Sequence, residues 1–484
     1  MRRVPLLLVL LVLLGGLTGC ATNPATGKLQ LALVSESQEI AMGRQYAPQI
    51  ESAMGATNYP ELNAYVESIA MPMALASERP NLPWQFRVID DPAVNAFAVP
   101  GGFVYVTRGI LAHMGSEAQL ASVLGHEIGH VTARHSVNQM SKQQLAQVGL
   151  VAGAVLLGES GEQLMPLASA GLGLLFLKYG RDHERQSDDL GLRYMSDAGY
   201  APGEMVAMFR TLGRSSQAAG AGQVPEWLAT HPSPENREAR MRAAIEASGA
   251  QGGATAVGRA EFLRRLEGLT YGPDPRAGFF AGDRFHHPEL RFRLDFPSGW
   301  QTANQPQAVM ALSAERDAML QLTLAGEGGL EELAEEFFAQ EGLTASEVSS
   351  VRRHGLAGVT GGFTANTEQG ELEGRALFAL HGERVYRLLG YAPKQAFADR
   401  RSAIEASLES FAPETDRRVL GVEPWSLQIV TPPKALSIEE FARRYPGPVS
   451  AEDLARINEL DPGERYRAGV PVKRVRGASL PGAD

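Results

Sequence analysis

Between residues 35 and 271, apolar side chains recur mainly three and four positions apart, the period of helices that bury one face. The cleanest stretch sets Leu120, Val123, Leu124, Ile128 and Val131 on one stripe. Ser35 with Gln38, and Ser116 with Gln119, have the spacing of a capping box and predict two helix starts. In between, residues 84–90 and 94–107 are rich in Val, Phe, Ile and Tyr, and Pro100-Gly101-Gly102 breaks the second run, which predicts a small sheet. Two further apolar runs, 145–158 and 164–177, reach only about 21 Å each as helices, against a hydrocarbon core of about 30 Å. A buried hairpin or lid is expected there rather than a membrane span. Residues 251–257 are Gly/Ala-rich and 272–282 carry Gly and Pro without periodicity, which places a boundary near residue 275. Beyond it, strands expected at 291–296, 319–324 and 384–390 mix with helices at 331–340 and 396–408. The expected fold class is α+β: a mainly helical domain over 35–271 with a small sheet, an α+β domain over 285–412, and a small module over 425–475.

Composition narrows the function. Hydrophobic residues make up 44% and charged residues 21%, so most of the chain should fold. Lys and Arg number 45 against 55 Asp and Glu, and a net charge of −10 supplies no field for a phosphate backbone, so nucleic acid is not an expected partner. Cys20 is the single cysteine, which excludes an intramolecular disulfide and a cysteine zinc finger and leaves any metal to His and carboxylate. Arg2 and Arg3 precede an apolar run over 4–14, the layout of a secretory signal over residues 1–20 that is followed by a linker at 21–34. Leu17-Thr18-Gly19-Cys20 resembles a bacterial lipobox, which implies lipidation of Cys20; Ala21 in place of Asp then implies the outer membrane.

The chemistry centres on Gly125-His126-Glu127-Ile128-Gly129-His130, an HExxH motif inside the apolar stripe. On a helix His126 and His130 differ by about 40° around the axis and stand one above the other on the core side. Two neutral imidazoles and a carboxylate suit zinc, whose fourth position in a catalytic site is left to water. Glu127 can reach that water as general base without occupying the metal, and the expected reaction is amide hydrolysis. A satisfied histidine pair on a structural helix would look the same, and a third ligand separates the two readings. Metzincin spacing asks for Gly at 133 and His at 136, where the chain has Ala133 and Ser136. His135 would project from the opposite face of a continuous helix and is expected in solvent. Glu184 and Asp188 share a helical face, so one carboxylate can ligate and the other orient a ligand, Asp188 being placed to accept from His126; a solvated acidic face is the alternative.

Asn95-Ala96-Phe97-Ala98-Val99-Pro100-Gly101-Gly102, the HExxH helix, Glu184-x-x-x-Asp188 and His231-Pro232 follow in an order that resembles the HtpX/Oma/BepA-type family of zinc metallopeptidases. The resemblance spans residues 35–271. It implies a gluzincin fold with one zinc ion on His126, His130 and Glu184, Glu127 as base, and Asp188 orienting a ligand or handling a proton. It also implies that Asn95, Ala96, Phe97 and Ala98 form a substrate-facing strand whose edge pairs with an extended peptide, an ordinary core strand being the alternative. His231 is similar to a family histidine near zinc, where it steadies the oxyanion or closes the site by binding the metal in a resting state. Arg237, on a helix expected to open with Ser233 and Pro234, would bring positive charge to the same oxygen; loop anchoring or surface pairing is the alternative for both.

Residues 285–412, with Phe296-Pro297-Ser298-Gly299-Trp300 after the first strand and a helix running into Ser410-Phe411, resemble the PsbP/Mog-like fold. Residues 425–475, with Asn458 ending a second short helix before Gly469-Val470-Pro471-Val472, resemble a LysM repeat, which implies binding of peptidoglycan; a structural cap is the alternative. The C-terminal half lacks the 34-residue helical repeat of BepA itself. The expected function is that of a zinc endopeptidase of the bacterial envelope, lipid-anchored at the periplasmic face of the outer membrane and acting on unfolded or misassembled envelope proteins. A zinc-bearing chaperone or adaptor, and a peptidoglycan-associated structural lipoprotein, are the alternatives.

Overall fold

The computed structural model describes residues 20–55, 59–157, 179–218, 227, 230–231, 236–248, 255–367 and 370–482. The leader before Cys20, the apolar run at 164–177, and Ser233 and Pro234 lie outside these residues. The chain divides into two units, 1–272 with 426–476, and 273–425 with 477–484.

The first unit opens with an antiparallel hairpin of β1 (Cys20–Thr22) and β2 (Leu29–Leu31). Helix α1 (Glu36–Met54) starts at Ser35, whose side chain accepts from Gln38 N while Gln38 reaches back to Ser35 N. After α2 (Pro60–Leu75) come β3 (Gln85–Ile89), β4 (Ala96–Val99) and β5 (Phe103–Thr107). They form one sheet in the order β3-β5-β4, with β3 parallel and β4 antiparallel to β5, so β4 is an edge strand. The β4–β5 turn needs Gly101: its φ is 91°, and a Cβ there would stand 2.8 Å from Glu39 O on α1.

Helices α3 (Arg108–His113), α4 (Glu117–Thr132), α5 (His135–Leu157), α6 (Arg181–Asp197), α7 (Gly203–Ala218), α8 (Arg237–Ser248) and α9 (Arg259–Arg265) complete this part. The HExxH helix α4 is buried on every side from Ala118 to Thr132, which makes it the central helix rather than one with a single apolar stripe. Ser116 caps it by accepting from Gln119 N. The Gln119 carboxamide turns away from the reciprocal bond: it accepts from Gly115 N at 2.7 Å and donates to Glu204 and Glu459.

The C-terminal segment packs within this same unit. Strand Ser426–Val430 pairs antiparallel with Val472–Arg476, and helices Ile438–Arg444 and Ala451–Ile457 lie between them in sequence. Lys473 is fully buried and donates to Ala112 O at 2.8 Å and Met114 O at 2.7 Å, satisfying carbonyls at the end of α3. Glu459 accepts from Gln119 of α4 and from Arg259 of α9. The segment thereby closes over the N-terminal end of the central helix.

The second unit is built on a seven-stranded antiparallel sheet whose strands run, in spatial order, Leu343–Arg353, Leu356–Thr367, Gly370–His381, Arg384–Pro393, Met319–Leu324, Ala308–Leu312 and Gln301–Gln305. Alternate residues enter two cores. Ala376 and Phe378 pack with helix Leu330–Phe338, whereas Leu377 and Ala379 join helix Lys394–Glu409 and the strands of a four-stranded sheet that includes Phe285 and Phe292. Among the described residues no helix is long and apolar enough to cross a membrane.

Candidate metal centre

Helices α4 and α6 meet more closely than side chains ordinarily allow, because glycines occupy the crossing. A Cβ on Gly191 would stand 2.9 Å from His126 N, one on Gly125 3.0 Å from Gly191 O, and one on Gly129 3.2 Å from Ser187 Cα. The close approach lets Glu184, in the first turn of α6, reach the two histidines of α4. Gly191→Ala must push on the backbone of His126, and zinc binding measured by chelator competition is expected to weaken by roughly 10-fold with helix content retained. Unchanged affinity would show that the crossing does not set the ligand positions.

Four buried donors converge at this point: His126, His130, Glu184 and His231 each offer one atom within 4.8 Å of the others. His126 Nε2 lies 3.0 Å from His130 Nε2 and 3.4 Å from His231 Nδ1. Glu184 Oε1 lies 3.1 Å from His231 Nδ1 and 3.4 Å from His130 Nε2. Zinc–nitrogen bonds of about 2.0–2.1 Å in a tetrahedron place donors about 3.3 Å apart, so the separations fit one ion. Both Glu127 carboxyl oxygens and Glu184 Oε2 are buried here without a hydrogen-bonding partner, an arrangement a cation satisfies. Glu127 Oε1 is 3.7 Å from His231 Nε2.

Around this group a second set of contacts fixes each ring. Asp188 Oδ1 accepts from His126 Nδ1 at 3.0 Å and is itself held by Arg237 through two bonds and by Arg240 at 2.8 Å. The Trp227 indole stacks on His231 at 4.2 Å, and His231 N donates to Trp227 O at 2.7 Å. Tyr179 lies over His130, with ring centroids 4.0 Å apart, and its hydroxyl bonds Ser136.

The electrostatics follow from burial. Burial pushes His126 and His130 below their ordinary range, more than Asp188 and Glu184 raise them, so both are neutral, the ligating form. Burial also pushes the Glu127 carboxyl up to about 8, with His231 opposing. For Asp188 burial raises the pKa, but Arg237 and His126 outweigh it and hold the group at about 2.

One expectation needs correction. His135 is not in solvent: α4 ends at Thr132, Arg134 turns the chain with φ 59°, and His135 begins a new helix, buried against His130. Rotation along one continuous helix does not apply across that turn. Asp188 engages the Arg237 guanidinium on the Nδ1 side of His126, and Arg237 Nη2 also lies 3.6 Å from Glu184 Oε2 of the donor group. Helix α8 begins at Arg237 itself, after Asn236 at φ 63°. Asn95 and the β4 residues Ala96, Phe97 and Ala98 are all buried, with Asn95 Oδ1 lacking a partner. Trp227 and Tyr179 had no signal in the sequence beyond being isolated aromatics.

Residues 60–245 match the model of Peptidase family M48. The chain carries an M48 peptidase domain. M48 peptidases depend on zinc, and the donor group in the M48 domain has the atoms to hold one ion. The beta-barrel assembly-enhancing protease of Escherichia coli (strain K12) is 32% identical over 232 residues, 46% of this chain and 47% of the relative. The mitochondrial metalloendopeptidase OMA1 of Arabidopsis thaliana is 32% identical over 166 residues, 34% of this chain and 32% of the relative. The chain therefore spans half the length, or less, of these curated relatives of the M48 domain. Among solved structures, cyanobacterial PsbP (CyanoP) from Synechocystis sp. PCC 6803 matches 28% of this chain and 94% of its own, at 13% identity and a TM-score of 0.23, a likeness too slight to assign a fold.

Proposed function

We propose that the chain is a zinc-dependent endopeptidase of the bacterial cell envelope that hydrolyses unfolded or misassembled proteins. The observation that carries this reading is the convergence of His126 Nε2, His130 Nε2 and Glu184 beside a fully buried Glu127. His126, His130 and Glu184 would hold the ion. Zinc, when bound, polarises a peptide carbonyl and makes water acidic enough to lose a proton near neutral pH. Glu127 takes that proton and later delivers it to the leaving amine, a role suited to a carboxyl whose pKa burial has raised to about 8. Asp188 keeps His126 Nδ1 protonated, so that Nε2 faces the donor group. An extended client would pair its backbone with the edge strand β4, which suits unfolded chains and excludes folded ones. His231 Nδ1 stands among the ligand atoms, which favours a resting state in which His231 fills the fourth position and must withdraw for a substrate to enter.

The envelope setting rests on the leader, on Cys20 as a lipidated residue at the outer membrane, and on 425–475 as a LysM-like module for peptidoglycan. The name of the Escherichia coli relative, a beta-barrel assembly-enhancing protease, supports clients among envelope proteins. The purified chain, loaded with zinc, should cut an unfolded outer-membrane protein into fragments resolved by mass spectrometry, and Glu184→Ala should lose most of the metal by elemental analysis. Intact client at full zinc loading, or unchanged zinc in Glu184→Ala, would overturn the reading.

A further inference from the structure

The histidine that follows the central helix lies outside the HExxH and Glu184-x-x-x-Asp188 motifs, yet it joins the donor group at its back. His135 Nδ1 sits 3.0 Å from His130 Nδ1, and His135 Nε2 sits 3.1 Å from Gln186 Oε1. Ser187 Oγ approaches the same His135 Nδ1 at 3.3 Å, and the His183 ring stacks on His135 with centroids 4.2 Å apart. His135 is 1% exposed, so water does not replace these partners. We infer that His135 is a positioning residue for the metal site: with Gln186 it forms a directional hydrogen-bond chain that holds His130 in the one tautomer able to bind zinc through Nε2.

The direction follows from proton counting. Two ring nitrogens 3.0 Å apart share a single proton, so one of the two Nδ1 atoms is bare. If His135 donated, His130 would carry its own proton on Nε2, the atom 3.0 Å from His126 Nε2 and 3.4 Å from Glu184 Oε1, and that nitrogen could not ligate. The opposite direction leaves His130 Nε2 free: His130 Nδ1–H donates to His135 Nδ1, and His135 Nε2–H donates to the Gln186 carbonyl oxygen. Gln186 therefore matters as an acceptor, because it draws the His135 proton to Nε2 and keeps Nδ1 bare. The two ligating histidines are thus supported differently, His126 by the charged Asp188 and His130 by a neutral chain ending in an amide. Asp188 and Gln186 both come from α6, the helix that also supplies Glu184, whereas His135 opens α5 and links that helix to His130.

The inference rests on the metal-site reading above, and the test separates the two. Zinc affinity of the full chain is measured by chelator competition for His135→Leu, His135→Asn, Gln186→Leu and His130→Ala, with the melting temperature of each metal-free protein as the folding control. His135→Leu should weaken zinc binding by about 10–100-fold, the usual effect of losing such a support, and Gln186→Leu should act in the same direction. His135→Asn places Oδ1 where the imidazole carries Nδ1 and should restore most of the affinity, which packing alone would not do. Wild-type affinity in His135→Leu, or an equal loss in His135→Asn and His135→Leu, overturns the inference. If His135→Leu does not fold, His135→Asn and Gln186→Leu decide: wild-type affinity in Gln186→Leu together with a full loss in His135→Asn overturns it. Undiminished affinity in His130→Ala would instead sink the metal-site reading itself.

Discussion

Glu127→Gln is expected to bind zinc like the wild type and to hydrolyse an unfolded client about 10²–10⁴-fold more slowly, the range that a positioned general base contributes. The substitution changes one oxygen to nitrogen in a fully buried side chain, so packing on α4 is preserved. It does not touch the ligand atoms of His126, His130 or Glu184, which explains why metal content should hold. What is lost is a buried carboxyl beside the donor group, raised by burial to about 8, while His231 and Glu184 contact each other within that group. Parallel measurements of cleavage rate and zinc stoichiometry check this. A variant that still cleaves at the wild-type rate removes Glu127 from the chemistry, and a cellular phenotype that survives complete loss of cleavage moves the function to an adaptor role.

The site was legible in the sequence to the extent that helical periodicity could carry it. His126 and His130 one turn apart on one helix, and Glu184 and Asp188 one turn apart on another, are statements about local geometry, and the structure brings those four side chains together. The limit came at the first break in that geometry. His135 was placed by continuing a helix that ends three residues earlier, and nothing local to Val131-Thr132-Ala133-Arg134 announces the positive φ of Arg134 that turns the next helix inward. His231 and Arg237 arrive from a distant segment, so their distances to His126 depend on tertiary packing alone.

The same contrast runs through the second unit. Strand Met319–Leu324 shows the alternation of a half-buried strand, whereas the long strands between 343 and 381 do not. In the structure a Cβ on Gly374 would collide with the Phe363 ring at 2.4 Å, and one on Gly361 with Phe338 at 2.7 Å, so these glycines make room for aromatic rings instead of ending strands. A residue that is informative through what it lacks cannot be read without its neighbour. The C-terminal segment is a further case: its resemblance to a LysM repeat implies two short helices between strands, but Lys473 and Glu459 look like surface charges until the carbonyls at the end of α3 and the carboxamide of Gln119 are seen facing them.

Asp188 supplies the second large effect, on stability and metal binding together. The carboxylate is fully buried between His126 Nδ1 and the guanidinium groups of Arg237 and Arg240, and Arg237 is 4% exposed with its cation over the Phe209 ring. Asp188→Leu removes the acceptor of His126 and leaves the buried Arg237 only the more distant Glu184 Oε2, at 3.6 Å, as a counter-ion. Loss of one partner from such a pair typically costs about 3–5 kcal/mol, so the melting temperature should fall sharply. Zinc affinity should fall by about 10–100-fold as the His126 ring loses its orientation. The double variant Asp188→Leu/Arg237→Leu distinguishes the two losses, because it removes the stranded cation as well. It should recover much of the stability while the zinc defect persists, since the His126 Nδ1–H still has no acceptor. Recovery of both would mean that Asp188 acts only by neutralising Arg237, and recovery of neither would mean that the guanidinium itself holds α8 against α6 through contacts beyond this carboxylate.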